Sequence, residues 1–393
     1  MTVQNTSSGD GSGGEDAPSP AFPFLSTAGS SPATAANRFG LDYHAASRDL
    51  PRANRYRGRI VDIHAHVMGA ASPDIFRVQA EAFGVRRVYS MSSLDAARVL
   101  RQKHGDFVRF IAFPNFRAGD RVLAMGDGFL EDIRAFRHDL DARIVKFWNA
   151  PRLRELLGPA EYARVGAFDS PGRVKAAELA QSLGMMMMVH VADPDTWFQT
   201  KYADRAKFGT KREHYEPLRR MMRRFPGPWI LAHGGGNPED LGFLSELLDD
   251  HANCVIDFSA TKWIVRELSR QPLDTARAFF AKYRGRLLFG SDVVATDEHL
   301  QSSASAHPMG DLADNPTAAA ELYASRYFAL RLLFETNYNA PSPIADPDLA
   351  MVDPTRFTAM SAPTLRGLDL PLEDLDSLYF ASAEALMANF GGV

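Results

Sequence analysis

From Arg59 onward, short apolar or β-branched runs alternate with longer stretches whose apolar positions recur every three or four residues. The runs are Ile60–His66, Arg87–Ser90, Val108–Phe113, Arg143–Trp148, Met185–Val191, Trp229–His233, Cys254–Phe258 and Leu287–Ser291. Their length and content predict strands. Between them, Ser93–Lys103, Phe129–His138, Arg173–Leu183, Tyr215–Arg224, Pro238–Asp249 and Leu273–Tyr283 carry the period of amphipathic helices. Strand alternating with helix implies parallel strands and right-handed crossovers, and eight such units close a (β/α)8 TIM barrel. The four methionines Met185–Met188 suit a strand buried on both faces, and core filling is preferred to a Met-rich binding surface.

Two stretches are too long for ordinary loops: Asp193–Glu216 after the fifth strand, and Val293–Leu368 after the eighth, with a helix near Thr317–Glu335. Both leave from strand C-termini, where barrel sites sit, so they are candidates for lids or for a homodimer contact. Pro371–Asn389 reads as a closing helix. Residues 1–35 are rich in Gly, Ser, Thr, Ala and Pro and are expected to form a disordered tail. Residues 36–58 form a polar lead-in, and 59–393 are expected to be a single barrel domain.

Composition narrows the function classes. A net charge of −4 offers no basic surplus for nucleic acid or for a membrane surface. No leader pattern and no membrane-length apolar stretch is found, so a cytoplasmic location is expected. The single cysteine, Cys254, excludes a disulfide framework and a thiolate metal cluster, and its apolar run marks it as a packed core residue. Any metal must therefore be held by histidine and carboxylate.

Such residues gather at strand ends. In Val61-Asp62-Ile63-His64-Ala65-His66, positions two apart share a strand face, so His64 and His66 both point into the barrel and can hold one divalent ion. Alone the pair is a modest signal. His190 ends the fifth run, His233 the sixth and Asp292 the eighth, which places five ionisable groups in one barrel mouth. Left without an ion, such a cluster would be costly to desolvate. Lys146 ends the fourth run and is open as a partner of a substrate anion, a group behind the metal ligands, or a plain salt bridge. Substrate contacts are sought on the strand-end loops, at Trp148, Asn149, Arg152, Asp193, Trp197, Lys262, Trp263 and Arg266, where tryptophans can stack on a planar substrate. A carboxylate substrate follows if Lys262, Arg266 or Arg152 faces the metal. Gly234–Gly236 is read as the turn before a helix at Pro238 capped by Asn237.

The motifs DIHAHV, VHVADP, LAHGGGNPEDL and FGSDVV, with LRGLDLPL near the end, resemble the amidohydrolase superfamily over roughly residues 59–390. The nearest branch is the amidohydrolase-related group (amidohydrolase 2) of metal-dependent TIM-barrel hydrolases and decarboxylases. The resemblance implies His64, His66, His190 and Asp292 as metal ligands, Asp292 sharing in proton transfer, His233 acting on water or substrate, and, as a further role open to Lys146, a carboxylated bridge between two metals as in binuclear relatives. Zinc is the expected ion, with manganese and iron(II) as alternatives for such N/O ligands. Two chemistries fit: attack of metal-activated water on an amide, lactone or ester carbonyl, or nonoxidative decarboxylation of an unsaturated or aromatic acid. A barrel that has lost catalysis and only binds is disfavoured by the intact ligand positions.

Overall fold

A computed structural model of the protein describes residues 32–50, 56–116, 118–301 and 313–389, so most of the expected tail lies outside the described residues. The strands are β1 (Ile60–Val67), β2 (Val85–Ser90), β3 (Val108–Ala112), β4 (Ile144–Trp148), β5 (Met186–His190), β6 (Trp229–Leu231), β7 (Cys254–Asp257), β8 (Leu287–Leu288) and β9 (Val293–Ala295). They form one parallel sheet in the order β8-β7-β6-β5-β4-β3-β2-β1-β9. All eight expected runs are strands. The eighth is broken: β8 pairs with β7, β9 pairs with β1, and the two halves close a (β/α)8 barrel.

Strand alternation sorts the side chains. Ile144, Met186, Met188, Ile230, Val255 and Leu288 fill the barrel interior, while Val145, Met187, Leu231, Cys254 and Leu287 pack outward under the helices. Met185–Met188 are therefore core on both faces, as expected. Cys254 is fully buried, which pushes its thiol up to about 12 and leaves it unreactive. The closing segment is three pieces, Leu372–Asp376, a wide turn over Ser377–Ala381, and Ser382–Asn389. It plugs the N-terminal end of the barrel, where Ala383 joins the interior and Phe380, Leu386 and Met387 pack against it.

Amphipathic spacing explains the outer helices. In Tyr215–Arg224, Tyr215, Leu218, Met221 and Met222 are buried, and the helix ends on Arg223 and Arg224, beside the C-terminal carbonyls. The helix at Pro238 begins later than expected. It spans Leu241–Asp250 and is capped by Asp240, whose side chain accepts from the Phe243 amide, so Asn237 is not its cap. The helices Ser72–Ala82 and Thr261–Arg270, among others, escaped the periodicity. Lys262, Trp263 and Arg266 therefore stand on a helix rather than on a loop.

The insert after β9 contains the helix Pro316–Glu335, capped by Asn315 and buried nearly all round from Leu322 on. A helix apolar on every side belongs in a core. The lead-in residues Leu41, Tyr43, Ala46 and Leu50 share that core. Thr34 exchanges backbone hydrogen bonds with Asn37, and Ala35 accepts from Ala345. No described helix is long and apolar enough to cross a membrane.

Candidate metal centre at the barrel mouth

β1 brings two imidazoles to the mouth through an irregularity. Val61 and Ile63 face the interior, whereas Ile60, Ala65 and Val67 face the helices. Strict alternation would turn His64 outward with Ile60. The pairing with β2 shifts register between Asp62 and Ala65, and past this shift His64 and His66 meet Asp292 in the mouth. Such bulges re-aim side chains beside active sites. Asp62, fully buried below, pins the region: it accepts from the His64 and Ser291 amides at 3.1 and 3.0 Å, from Ser291 Oγ at 2.6 Å and from Tyr327 at 2.8 Å. Burial pushes its carboxyl up to about 6 despite those bonds.

Asp292 lies in the break between β8 and β9, with a left-handed φ of 55°. Its amide donates to the His64 carbonyl at 2.7 Å. Asp292 Oδ1 is 3.6 Å from His64 Nε2 and 3.3 Å from His66 Nε2. These ligating atoms all lie within 4.8 Å of one another, a convergent two-nitrogen, one-oxygen donor set. Burial alone would raise the Asp292 carboxyl, but the His66 hydrogen bond and the nearby His64, His66 and Lys146 hold it at about 2. Gly290 permits the approach, since a Cβ there would fall 2.9 Å from His64 Cβ.

A second tier holds this set in place. His64 Nδ1 is 2.9 Å from Asp257 Oδ2 and 3.1 Å from Ser259 Oγ, which leaves Nε2 for the mouth. A carboxylate behind a metal-binding imidazole fixes its tautomer and direction. Asp257 also accepts from the His233 amide at 3.0 Å, and Ser259 Oγ lies 2.8 Å from His233 Nδ1. His233 has φ 60°, a strained conformation of the kind that persists where surrounding contacts enforce it. Burial, then the neighbouring imidazoles and Lys146, hold His233 neutral, well below its ordinary value. His64 is lowered too, first by burial. Neutral imidazole is the form that binds a metal. The donor chemistry, convergence and backing together fit a divalent ion.

Lys146 points inward one layer above Ile144, and its Nζ is 3.3 Å from His64 Nε2. Burial lowers the amine to about 8, against the pull of Asp257 and Asp292. His190 shares the mouth, its ring meeting that of His233 edge-on at 4.5 Å. Its Nε2, however, is 2.7 Å from Asp193 Oδ1, and it lies outside the convergent set. Tyr202 donates to the other Asp193 oxygen at 2.6 Å. Three of the four expected ligands thus converge, and the fourth is turned to Asp193.

Beside Asp292 opens a cavity of about 240 Å³, lined by Trp197, Lys262, Trp263, Leu322 and Arg326 among others. Trp197 and Trp263 meet edge-on at 5.8 Å, and both indole N–H groups donate to Asp348, at 2.9 and 2.8 Å. Arg266 does not face the cavity. It is fully buried and committed to Glu267, Asp346, Asp348 and Thr196, which corrects its reading as a substrate contact. Arg152 is an exposed partner of Glu155. Trp148 packs edge-on against Phe116 at 5.3 Å in a side cluster, and Asn149 is buried beside it. Gly234, Gly235 and Gly236 all have positive φ, and a Cβ on Gly236 would fall 2.6 Å from the Ala192 carbonyl, so this turn also packs β6 against the end of β5.

Sequence reasoning passed over Asp257, Ser259 and Arg326. Asp257 had a signal, an acid ending the seventh apolar run at the barrel end that carries the histidines. Ser259 and Arg326 had none, since only the fold brings them to the mouth.

The sequence profile of the family described as Amidohydrolase matches residues 41–349. No curated protein sequence matches. Similar solved structures include a probable 2-pyrone-4,6-dicarboxylic acid hydrolase from Acinetobacter baumannii (14% identity, 69% of this chain and 92% of that chain, TM-score 0.39). Two others are a 2,6-dihydroxybenzoate decarboxylase from Rhizobium (12%, 68% and 99%, TM-score 0.41) and the 5-carboxyvanillate decarboxylase of Sphingomonas paucimobilis (11%, 77% and 100%, TM-score 0.38).

Proposed function

Because the chain belongs to the amidohydrolase family, we propose that it is a metal-dependent hydrolase acting on an amide, lactone or ester carbonyl. The observation that carries this reading is the convergence of His64 Nε2, His66 Nε2 and Asp292 Oδ1 at the barrel mouth. These three residues would hold the ion, with zinc preferred and manganese or iron(II) as alternatives. A divalent ion there would supply Lewis acidity to a carbonyl oxygen and to water. The rest falls to the chain. Asp257 and Ser259 keep His64 aimed at the mouth. Asp292, ionised at neutral pH, and His233, neutral, are the proton-handling groups of this reading; His233 Nδ1 lies 2.8 Å from Ser259 Oγ and 4.0 Å from Asp292 Oδ2, so a relay between them needs a bridging water or a turn of the ring. The indoles of Trp197 and Trp263 keep one side of the substrate space dry.

A second reading, nonoxidative decarboxylation of an unsaturated or aromatic acid, is favoured by one observation: Lys262 faces the same cavity as Asp292, where an acid would be welcome.

Metal analysis tests the reading first. About one ion per chain supports the single-ion site. About two would make a carboxylated Lys146 a bridge and strengthen hydrolysis. None, after growth with zinc or manganese, overturns the proposal. His233→Asn should abolish turnover while keeping most of the metal, and a fall in metal content on His190→Ala would assign His190 as a fourth donor. Turnover in H2(18)O separates the two chemistries: label in the product means hydrolysis, whereas CO2 release with solvent hydrogen on carbon means decarboxylation.

A further inference from the structure

Lys262 is the second residue of the helix Thr261–Arg270, and it lines the cavity beside Asp292 together with Trp197, Trp263 and Arg326. Its amine has no hydrogen-bond or ion-pair partner among the described residues, and unlike Arg326 Nη1 it is not closed off from solvent. The acids nearby are already engaged. Asp348 accepts from both indoles and pairs with Arg266, and Asp346 pairs with Arg266. The setting also resists an ammonium. The helix starts at Ala260 without a side-chain cap and has no acid in its first turn, so its unmatched amides present positive charge beside Lys262. Arg326 adds a cation on the same cavity. The other lysines are placed differently. Lys103, Lys207, Lys211 and Lys282 pair with carboxylates, Lys146 meets His64, and Lys175 and Lys201 stand exposed.

We propose that Lys262 is a carbonyl-condensing amine, which captures a compact aldehyde in this cavity as an imine without calling on the metal. The site adds a covalent chemistry to the proposed hydrolysis and does not depend on it.

The step needs no other reagent. Nζ attacks the carbonyl carbon, and the π pair of the C=O bond moves to oxygen. The two hydrogens of the amine then leave with that oxygen as water, so one C=N bond replaces one C=O bond. Only the uncharged amine can begin this. Burial, then the Arg326 charge, lower the amine to about 8 against the pull of Asp346 and Asp348. A desolvated lysine beside a second cation is a standard way to make such a nucleophile. Size and walls suit a flat aldehyde. An apolar cavity of about 150 Å³ admits benzene, so about 240 Å³ admits a ring with one small group. Trp197 and Trp263, fixed through Asp348, offer that ring rigid aromatic surface. A carboxylate in the same space would draw a proton onto Nζ and stop the condensation.

Benzaldehyde is the probe, with sodium cyanoborohydride to fix the imine: hydride adds to the imine carbon and leaves a stable benzylamine. The full chain is labelled near neutral pH, with and without chelator treatment, and digested, and the benzyl group is located by mass spectrometry. Lys262 should be labelled first, roughly 10- to 100-fold faster than the exposed Lys175 and Lys201, and at the same rate with the metal stripped. Lys262→Gln should lose this fast labelling and keep the slow surface labelling. Lys262→Arg, which retains a positive charge, should lose it too. If neither variant folds by circular dichroism, the labelled position in the wild type decides. Equal rates at all lysines, first labelling at Lys146, or no labelling of Lys262 overturns the proposal. Fast labelling that disappears with the metal also overturns it, because the ion would then be activating the aldehyde. Fast labelling of Lys262 in a chain that never takes up metal keeps the imine site and sinks the catalytic reading.

Discussion

The two ends of the barrel interior are built on the same strands by the same alternation, yet they differ in kind. At the N-terminal end Ile144, Met186, Ile230, Val255 and Leu288 meet beneath a C-terminal helix that supplies Ala383. At the other end the same strands finish in Lys146, His190, Asp257 and, after turns into left-handed backbone, His233 and Asp292. One end excludes water and stabilises. The other gathers a lysine, two acids and neutral imidazoles, and it carries left-handed backbone at His233 and Asp292. Stability and chemistry are thus separated along the strand axis, and substitutions at the two ends should fail in different ways.

The sharpest break of that contrast is Asp292→Asn. Turnover should fall by roughly 10³-fold or more, on the scale of losing a main catalytic group, and metal per chain should drop while the circular dichroism spectrum is kept. Ile230→Ala should do the reverse: a loss of about 2–5 kcal/mol of stability, seen in chemical denaturation, with metal per chain unchanged. If Ile230→Ala emptied the site of metal, the two ends would not be separable. Asp257→Asn sharpens the comparison from the next tier. It keeps the size of the group but weakens the hold on His64 Nδ1, so metal affinity should fall roughly 10- to 100-fold in a competition assay against a chelator.

The smallest effect concerns Cys254 on the outer face of β7. Its folded thiol is raised to about 12 from an ordinary 9.0, so the native state keeps its proton longer than the unfolded chain. The sign follows: below pH 9 it has no effect, and between 9 and 12 it makes stability fall as pH rises. At pH 8 a thiol reagent should label the unfolded chain and leave the native protein untouched. Labelling of the native protein would show that this strand breathes.

The strands and the ionisable residues at their ends were legible because both are local. Each ligand candidate closes an apolar run, and a pair two residues apart is visible without a fold. What stayed hidden depends on contacts across the chain. The register shift that admits both His64 and His66 appears only in pairing with β2. Arg266 and Arg326 look alike in sequence, yet neighbouring acids claim Arg266 completely while Arg326 Nη1 is left over. The helix Thr261–Arg270 reads in sequence as a strand-end loop because the β-branched Thr261, Ile264 and Val265 and the aromatic Trp263 weaken its local helix propensity, which tertiary burial outweighs.

The broken eighth strand sets an order on assembly. The seam that closes the barrel and the turn that carries Asp292 are the same few residues, and 229 positions separate Asp62 from the Ser291 it holds. During synthesis the ribosome releases both β1 imidazoles when most of the chain is still unmade. No nascent chain that stops before this seam has Asp292 or a closed cylinder. The convergence of His64, His66 and Asp292 is thereby deferred until the seam has been made, and fragments that stop earlier lack it.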